Sequence, residues 1–247
     1  MLNALILRDI RTRFFGHGLG FTVAIAWPLA HIASLLAIYA GLGRIAPYGD
    51  SLVLFFSTGL VPFMMFNYMS RFIMAALILN RPLLAFPAVR ILDILFARAI
   101  LEVLGSCCGT VIVLLCMWVT RIDVVPLDIG QAYLAMGASL LIGLGFGMLN
   151  GLVTFLTPMW LTGYTLFLIG MYLTCGIVFV PSQLPEPLRT IVSYNPMLHA
   201  VEWMRTSYYL GYPSSVLDKA YLVEWGVGTI FLTLVIERAF RGRLLQN

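Results

Sequence analysis

IGQAYLAMGASLLIGLGFGMLNGLVTFLTPMWLTGYTLFLIGMYLTCGIVFVPSQLP, residues 129–185, contains no Asp, Glu, Lys or Arg. No water-facing fold tolerates a charge-free run of this length. A helix needs about 20 apolar residues to cross the hydrocarbon layer of a bilayer. The whole chain is 61% hydrophobic and 11% charged, so its remaining apolar runs read the same way. Working outward gives candidate spans at 19–43, 51–70, 91–118, 131–157, 160–180 and 220–237. An open strand in lipid would leave its backbone polar groups unpaired, so the spans are expected to be helices. The runs are continuous where a transmembrane barrel would alternate. The expectation is an all-α polytopic membrane protein with six spans.

The arginines orient it. With the N-terminus inside, Arg8, Arg11, Arg13, Arg71, Arg81, Arg90, Arg98, Arg238, Arg241 and Arg243 lie on the cytoplasmic side. Arg44, Arg121, Arg189, Arg205 and Lys219 face out, a split that follows the retention of basic residues in the cytoplasm. Both termini are then cytoplasmic. The net charge of +4 is a topology signal; nucleic-acid binding would need a clustered basic face. The first apolar stretch outruns the apolar core of a cleaved signal. Cys107, Cys108, Cys116 and Cys175 fall inside expected spans without a C-x-x-C pair, and read as buried packing residues with no metal site.

Residues 1–15 are too charged to cross. Leu2, Ile6, Ile10 and Phe14 recur at four-residue spacing, with Arg8, Arg11 and Arg13 elsewhere on the wheel. This predicts an amphipathic helix in the cytoplasmic interface, its arginines near lipid phosphates; the plainer alternative is a frayed basic terminus. The first span carries Trp27-Pro28, His31 and Ser34, a polar face suited to a protein interior or cavity. His31 reads as a hydrogen-bonded core histidine before a proton carrier.

Small residues at every fourth position of the fourth span (Ala135, Ser139, Gly143, Gly147, Gly151) allow close helix contact, with a partner in this chain or another. The fifth span carries the opposite stripe, Trp160, Tyr164, Phe167 and Met171, with Tyr172 beside it. Core packing and an interface anchor account for it; so does an aromatic lining along which sugar rings slide by stacking. Arg98 and Glu102, four apart in the third span, are spaced to pair on one helix face.

Two connections stand out. SRFIMAALILNRPLLAFPAVRILDILFAR, residues 70–98, is basic and punctuated by prolines. Residues 71–90 are expected to form a cytoplasmic region with a short helix around Asn80-Arg81-Pro82 that a cytosolic partner could push. Residues 181–215 predict two short helices, Leu188–Tyr194 and Met197–Leu210, split by Asn195-Pro196. The second alternates apolar Leu198, Val201, Met204 and Tyr208 with Glu202 and Arg205. Such a pair serves as a lid at the outer face, or as a plain interfacial hairpin.

No G-x-x-x-x-G-K-[ST] occurs, and Lys219 is the sole lysine, so the chain is not itself a P-loop ATPase. No serine-centred nucleophile elbow appears. A lipid-modifying enzyme would rest on His199 with Glu202. An ion-coupled transporter would need ionisable groups near mid-bilayer and often an internal repeat.

Asn80–Val89 (NRPLLAFPAV), then Asp93 and Ala97-Arg98, resembles the permeases of capsular polysaccharide export within the type-2 class of ABC exporters. Ser193-Tyr194-Asn195-Pro196-Met197, then Glu202 and Arg205, is similar to the segment before the last span across that class. The resemblance covers essentially the whole chain. It implies a single transmembrane permease domain, acting as a homodimer with two copies of a separate ATPase that binds ATP and magnesium; no cofactor is implied in this chain. Asn80, Arg81, Pro82, Leu83 and Leu84 would couple to that ATPase. Trp27, His31, Phe63, Tyr164, Phe167, Met171 and Tyr172 would line the channel, and Arg8, Arg11 and Arg13 would admit the lipid anchor. Tyr194, Asn195, Pro196, Glu202 and Arg205 would belong to a periplasmic gate. The implied cargo is a lipid-linked acidic polysaccharide, passed on to a periplasmic co-polymerase and an outer-membrane exporter. O-antigen, teichoic acid or a drug are the alternative cargoes.

Overall fold

The computed structural model of the chain describes residues 2–11, 19–86, 89–119, 121–122 and 124–244. Nine α-helices make up the described residues, which include no strand: α1 (Leu2–Ile10), α2 (Leu19–Gly41), α3 (Leu52–Leu79), α4 (Ile91–Val119), α5 (Ile129–Leu156), α6 (Trp160–Thr174), α7 (Glu186–Ser193), α8 (Pro196–Tyr208) and α9 (Lys219–Leu244). Four of them, α3, α4, α5 and α9, are long and apolar enough to cross a membrane. Their starts are fixed locally where short polar side chains stand ready. The Ser51 hydroxyl accepts from the Leu54 N–H and the Asp128 carboxylate from the Gln131 N–H, each filling a donor that the first helical turn leaves unpaired.

The stripe of small residues finds its partner inside this chain. A Cβ added at Gly143 would lie 2.8 Å from Met69 Cβ, and one at Gly147 the same distance from Ile73 Cβ, so α5 lies backbone-close along α3. On the other flank of α5, Gly145 meets Gly226 and Thr229 of α9. The result is a three-helix slab, α3–α5–α9, with α8 set against one end. Within the spanning window α3 is 67% and α5 61% buried, against 33% for α4 and 28% for α9. The last two therefore present broad apolar faces to their surroundings.

Several expected boundaries move. The second span continues through Arg71 to Leu79, because no breaker interrupts Arg71–Leu79 before Asn80-Arg81-Pro82. The connecting region thus begins at Asn80, with residues 71–79 belonging to the helix. The short helix expected there is a 3-10 turn, Arg81–Ala85, with Pro82 near its start. The fifth span is short: α6 stops at Thr174, and Gly176 follows with φ +84°, a left-handed value that glycine adopts without Cβ strain. Three of the four cysteines overturn the packing reading. Cys107, Cys108 and Cys116 are exposed on α4 beside Leu104, Val111 and Leu115, whereas Cys175 is buried.

The N-terminal helix is also less detached than an interface helix alone would be. It packs on α4, burying Leu5 and Asp9. Arg11 lies just past its end and is exposed, while Arg13 lies outside the described residues.

Candidate functional site

At one end of the bundle the 3-10 turn projects from the α3–α4 hairpin. Arg81, Pro82 and Ala85 are exposed and Leu83 and Leu84 half-buried, with Leu79 and Phe86 flanking them at 71% and 60% exposure. The Arg81 guanidinium sits 5.5 Å from the ring centre of Phe155 at the end of α5. Asn80 fixes the base of the turn. Its amide donates to the Ala76 carbonyl at 2.9 Å, and its Oδ1 accepts from Arg8 on α1. Arg8 also reaches Asp9 at 2.6 Å, and Asp9 lies 3.9 Å from Arg98. Arg98 pairs with Glu102 at 2.9 Å, as the spacing predicted, and stacks 4.9 Å from the Phe72 ring centre. Two groups of residues assigned separately from sequence, Arg8 and Asn80, are thus brought into contact.

Along the bundle runs an aromatic seam. His31 Nε2 and the Tyr172 hydroxyl are 2.9 Å apart, joining α2 to α6. Tyr172 meets Phe63 edge-on at 5.2 Å, and Phe63, Phe66, Phe146, Phe167 and Tyr164 continue the series ring to ring. The expected channel residues His31, Phe63, Tyr164, Phe167 and Tyr172 therefore share one network. Their exposure differs: Phe63, Tyr164 and Met171 are buried within a single copy, His31 and Tyr172 are half-buried, and Phe167 is exposed. The side chain of Trp27 lies outside the described residues. Trp160 donates from its indole to Asn150 at 2.8 Å, tying the start of α6 to α5.

The opposite end holds α7 and α8. Asn195 caps α8 by accepting from the Met197 N–H at 2.9 Å, while its own amide donates to the Met171 carbonyl and the Thr174 hydroxyl, each at 2.8 Å. Pro196 supplies the first helical position, where a missing N–H costs nothing. Tyr194, just before it, is exposed. The Gln131 side-chain oxygen accepts from the Trp203 indole at 2.7 Å and from Lys219 at 2.8 Å, tying α5, α8 and α9 together.

The charged side chains that alternate with the apolar ones on α8 point into the protein. Glu202 and Arg205 are both 0% exposed. Arg205 Nη1 donates to the Phe179 carbonyl at 3.1 Å and Nη2 to the Ile177 carbonyl at 3.0 Å. Its guanidinium covers the Phe55 ring at 3.9 Å from the centre, and the Tyr212 hydroxyl lies 3.4 Å from Nη1. Tyr212 in turn donates to Glu202 Oε1 at 2.6 Å. Glu202 and Arg205 themselves approach only to 3.9 Å. Burial pushes the Glu202 carboxyl up to about 7, against the opposing effects of Tyr212 and Arg205. A charge this deep is tolerated because carbonyls and a ring face replace the water it loses.

His199 is a fastener. Its Nδ1 accepts from the Asp218 N–H at 3.0 Å, so Nε2 carries the proton and donates to the Ser193 carbonyl at 2.9 Å. Burial lowers its pKa and keeps the ring neutral. With both nitrogens engaged and Glu202 facing other partners, this pair does not form an acid–base site. No group of His, Cys, Asp and Glu among the described residues is arranged to hold a metal ion.

The sequence leaves unmarked Leu79 and Phe86 at the turn, Phe55 and Tyr212 around Arg205, and Tyr39, which donates to the Val178 carbonyl. For Tyr212 a signal exists: Gly211-Tyr212-Pro213, with Gly211 at φ +70°, fixes a sharp exit from α8 that turns the tyrosine inward.

Stacked apolar helices with a basic turn at one end and a buried polar lock at the other define a multi-pass membrane protein. Residues 2–209 match the family described as ABC-2 type transporter, and the chain belongs to that family of transporter membrane components. It is 28% identical over 246 residues to the polysialic acid transport protein KpsM of Escherichia coli, covering 100% of this chain and 95% of the relative. It is 25% identical over 241 residues to the capsule polysaccharide export inner-membrane protein CtrC of Neisseria meningitidis, covering 97% and 91%. It is 24% identical over 246 residues to the capsule polysaccharide export inner-membrane protein BexB of Haemophilus influenzae, again covering 97% and 91%.

Proposed function

We propose that the chain is the channel subunit of an ATP-driven exporter that moves a lipid-linked acidic capsular polysaccharide across the bacterial inner membrane. The observation that carries this reading is the exposed turn Asn80–Phe86. It offers Pro82, Leu83, Leu84 and Phe86 to a partner, on a hairpin of two long apolar helices. Full-length similarity to relatives named for capsule export supports the cargo class.

In this reading six spans place both termini in the cytoplasm, with α2 and the shorter α6 as the first and fifth. The single permease domain divides into the interface helix within residues 1–15, the coupling region within 71–90 and the gate helices within 181–215. Two copies meet along a seam and two ATPase copies, which bind ATP and magnesium, hold the turns. Nucleotide-driven closure of the ATPases presses on residues 72–88 and shifts α2, α3 and α6. Exposed Phe167 and half-buried Tyr172 and His31 then contact sugars, and buried Tyr164, Phe63 and Met171 become reachable only if α6 moves. Arg8, Arg11 and Arg13 lie near the lipid phosphate at entry, each basic residue contributing about 1 kcal/mol at an anionic surface. A periplasmic co-polymerase and an outer-membrane exporter continue the path.

Gentle purification of the tagged chain from native membranes tests the reading. A P-loop ATPase that copurifies, and is lost when the turn is altered, supports it. Full transport without any nucleotide-binding partner would overturn it in favour of ion coupling.

A further inference from the structure

Between α6 and α7 the backbone leaves helical geometry at Cys175 and does not resume it until the 3-10 turn at Pro181–Gln183. Ile177 and Val180 are buried, and non-helical backbone in a protein interior must find partners for its carbonyls because no water reaches it. Three successive carbonyls do so through side chains. Ile177 and Phe179 accept from Arg205, and Val178 accepts from the Tyr39 hydroxyl of α2 at 3.0 Å. Gly59 of α3 lets the turn come this close: a Cβ there would lie 3.2 Å from Ile177 Cα and 3.3 Å from Arg205 Nη2.

The nearest carboxylate competes for the same cation. Glu202 is three residues from Arg205 on α8, equally buried, and its Oε2 has no hydrogen-bond partner among the described residues; nor has Arg205 Nε. Arg205 Nη1 and Glu202 Oε1 form only a long ion pair, 3.9 Å apart, which leaves Oε2 and Nε without a hydrogen bond among those residues. Tyr212 stands between them, donating to Glu202 Oε1 while its oxygen faces Arg205 Nη1. Phe55 caps the guanidinium from α3, and Tyr48 packs on Tyr212 at 5.0 Å. Arg205 thus keeps its fork on the turn because a hydroxyl occupies the carboxylate.

We propose that the turn Gly176–Val180 is the latch of the exit, held shut by Arg205, and that Tyr212 is the positioning residue that keeps Arg205 on the latch by occupying Glu202. The latch rests on the exporter reading for its place on a transport path; its geometry does not. Freed from Tyr212, Glu202 draws the guanidinium away from Ile177 and Phe179, and the turn loses two of its three side-chain donors.

Cys175, buried at the root of the turn, reports the opening. In full-length protein in membrane vesicles, with Cys107, Cys108 and Cys116 replaced by Ser, a membrane-impermeant maleimide labels Cys175 at a rate set by how often the turn opens. Tyr212→Phe is expected to raise that rate about tenfold, the scale of one charge-assisted hydrogen bond. Adding Glu202→Gln removes the competing charge and should return the rate to within about twofold of the parent. A merely structural tyrosine would show no such rescue. Unchanged labelling in Tyr212→Phe, or a double variant as open as the single, overturns the latch. The measurement needs neither ATP nor cargo, so it is decided separately from the exporter reading. The cargo arm reads surface polysaccharide in cells carrying Tyr212→Phe: altered export places the open turn on the path, and wild-type export alongside faster labelling overturns its role at the exit.

Discussion

Arg8 of α1 donates to the side-chain oxygen of Asn80, the residue that closes α3 and opens the exposed turn. The N-terminal helix is therefore tied to the turn as well as packed on α4, where Asp9 faces Arg98. A push on the turn reaches α1 through one amide. Asn80→Ala should break that tie and the helix cap together, each contact contributing about 1 kcal/mol. In reconstituted vesicles with the partner ATPase, the expected result is near-normal ATP hydrolysis with transport reduced roughly fivefold. Transport per ATP equal to the parent's would remove the link.

Leu79 and Phe86 stand exposed beside half-buried Leu83 and Leu84. Apolar side chains left in water at a helix hairpin gain by burial against a partner, at about 25 cal/mol per Å². Phe86→Glu should lower ATPase recovery in pull-downs by at least about tenfold, since it loses that burial and adds a charge to desolvate. The same change should leave the detergent-solubilised chain's melting temperature within a degree or two. Equal recovery of ATPase would show that the partner sits elsewhere.

Gly143 and Gly137 share α5 but not surroundings. An added methyl at Gly143 meets Met69 and the Phe66 carbonyl, whereas nothing lies within 4 Å of Gly137. Gly143→Ala should destabilise by about 1–3 kcal/mol through overpacking. Gly137→Ala should be neutral or slightly stabilising, because alanine is the better helix former. Thermal unfolding of the two variants side by side checks the slab: matching transitions would mean that α3 and α5 do not pack as described.

Glu202 gives stability a pH dependence of unusual sign. Its carboxyl has an ordinary value of 4.5 when unfolded and about 7 when buried. Between these values the folded chain holds a proton that the unfolded chain has released. The stabilisation is complete below 4.5 and is lost as pH rises through about 7. His199, with its pKa lowered by burial, acts oppositely, costing stability as pH falls below its ordinary 6.5. Melting curves of the parent and Glu202→Gln should therefore diverge between about pH 4.5 and 7, the parent losing more as pH rises. Parallel curves would mean that Glu202 stays ionised throughout.

Much of this architecture is legible in sequence because lipid-crossing helices are long, apolar and closed by recognisable breakers. Asn80-Arg81-Pro82 ends α3 and Asn195-Pro196 starts α8 for reasons contained in those residues. The end of α6 is different. Cys175–Val180 is as apolar as the helix before it, and only Arg205 and Tyr39, distant in the chain, make a non-helical course affordable. Arg71 misleads in the other direction, since a single arginine on an exposed helix position looks like the edge of a loop. Glu202 and Arg205 have the spacing of a polar surface on α8. Their burial depends on Phe55 and the 176–180 turn, which no local pattern announces, and on Tyr212, whose inward course only Gly211 and Pro213 signal.

The candidate residues divide along the same line. Helical spacing puts Tyr164 and Phe167 on one face of α6, where the two rings do stack, but the contact of His31 with Tyr172 joins two helices and has no periodic signal. The tie between Arg8 and Asn80 crosses the whole hairpin and has no periodic signature. Nor has the tyrosine at Tyr212, whose role depends on a carboxylate and a guanidinium reaching it from another element.

The three-helix slab has a mechanical consequence. At Gly143, Gly145 and Gly147, where α5 lies against α3 and α9, there is no room for a methyl group, so those helices cannot slide past one another without losing contact. They form a stator. The vanes are the elements fastened at points: α1 by Arg8, α2 by His31 and Tyr39, α6 by Asn195 and the 176–180 turn. Each fastening is a side-chain hydrogen bond that can be broken and remade within a working stroke, and the frame they swing on need not bend.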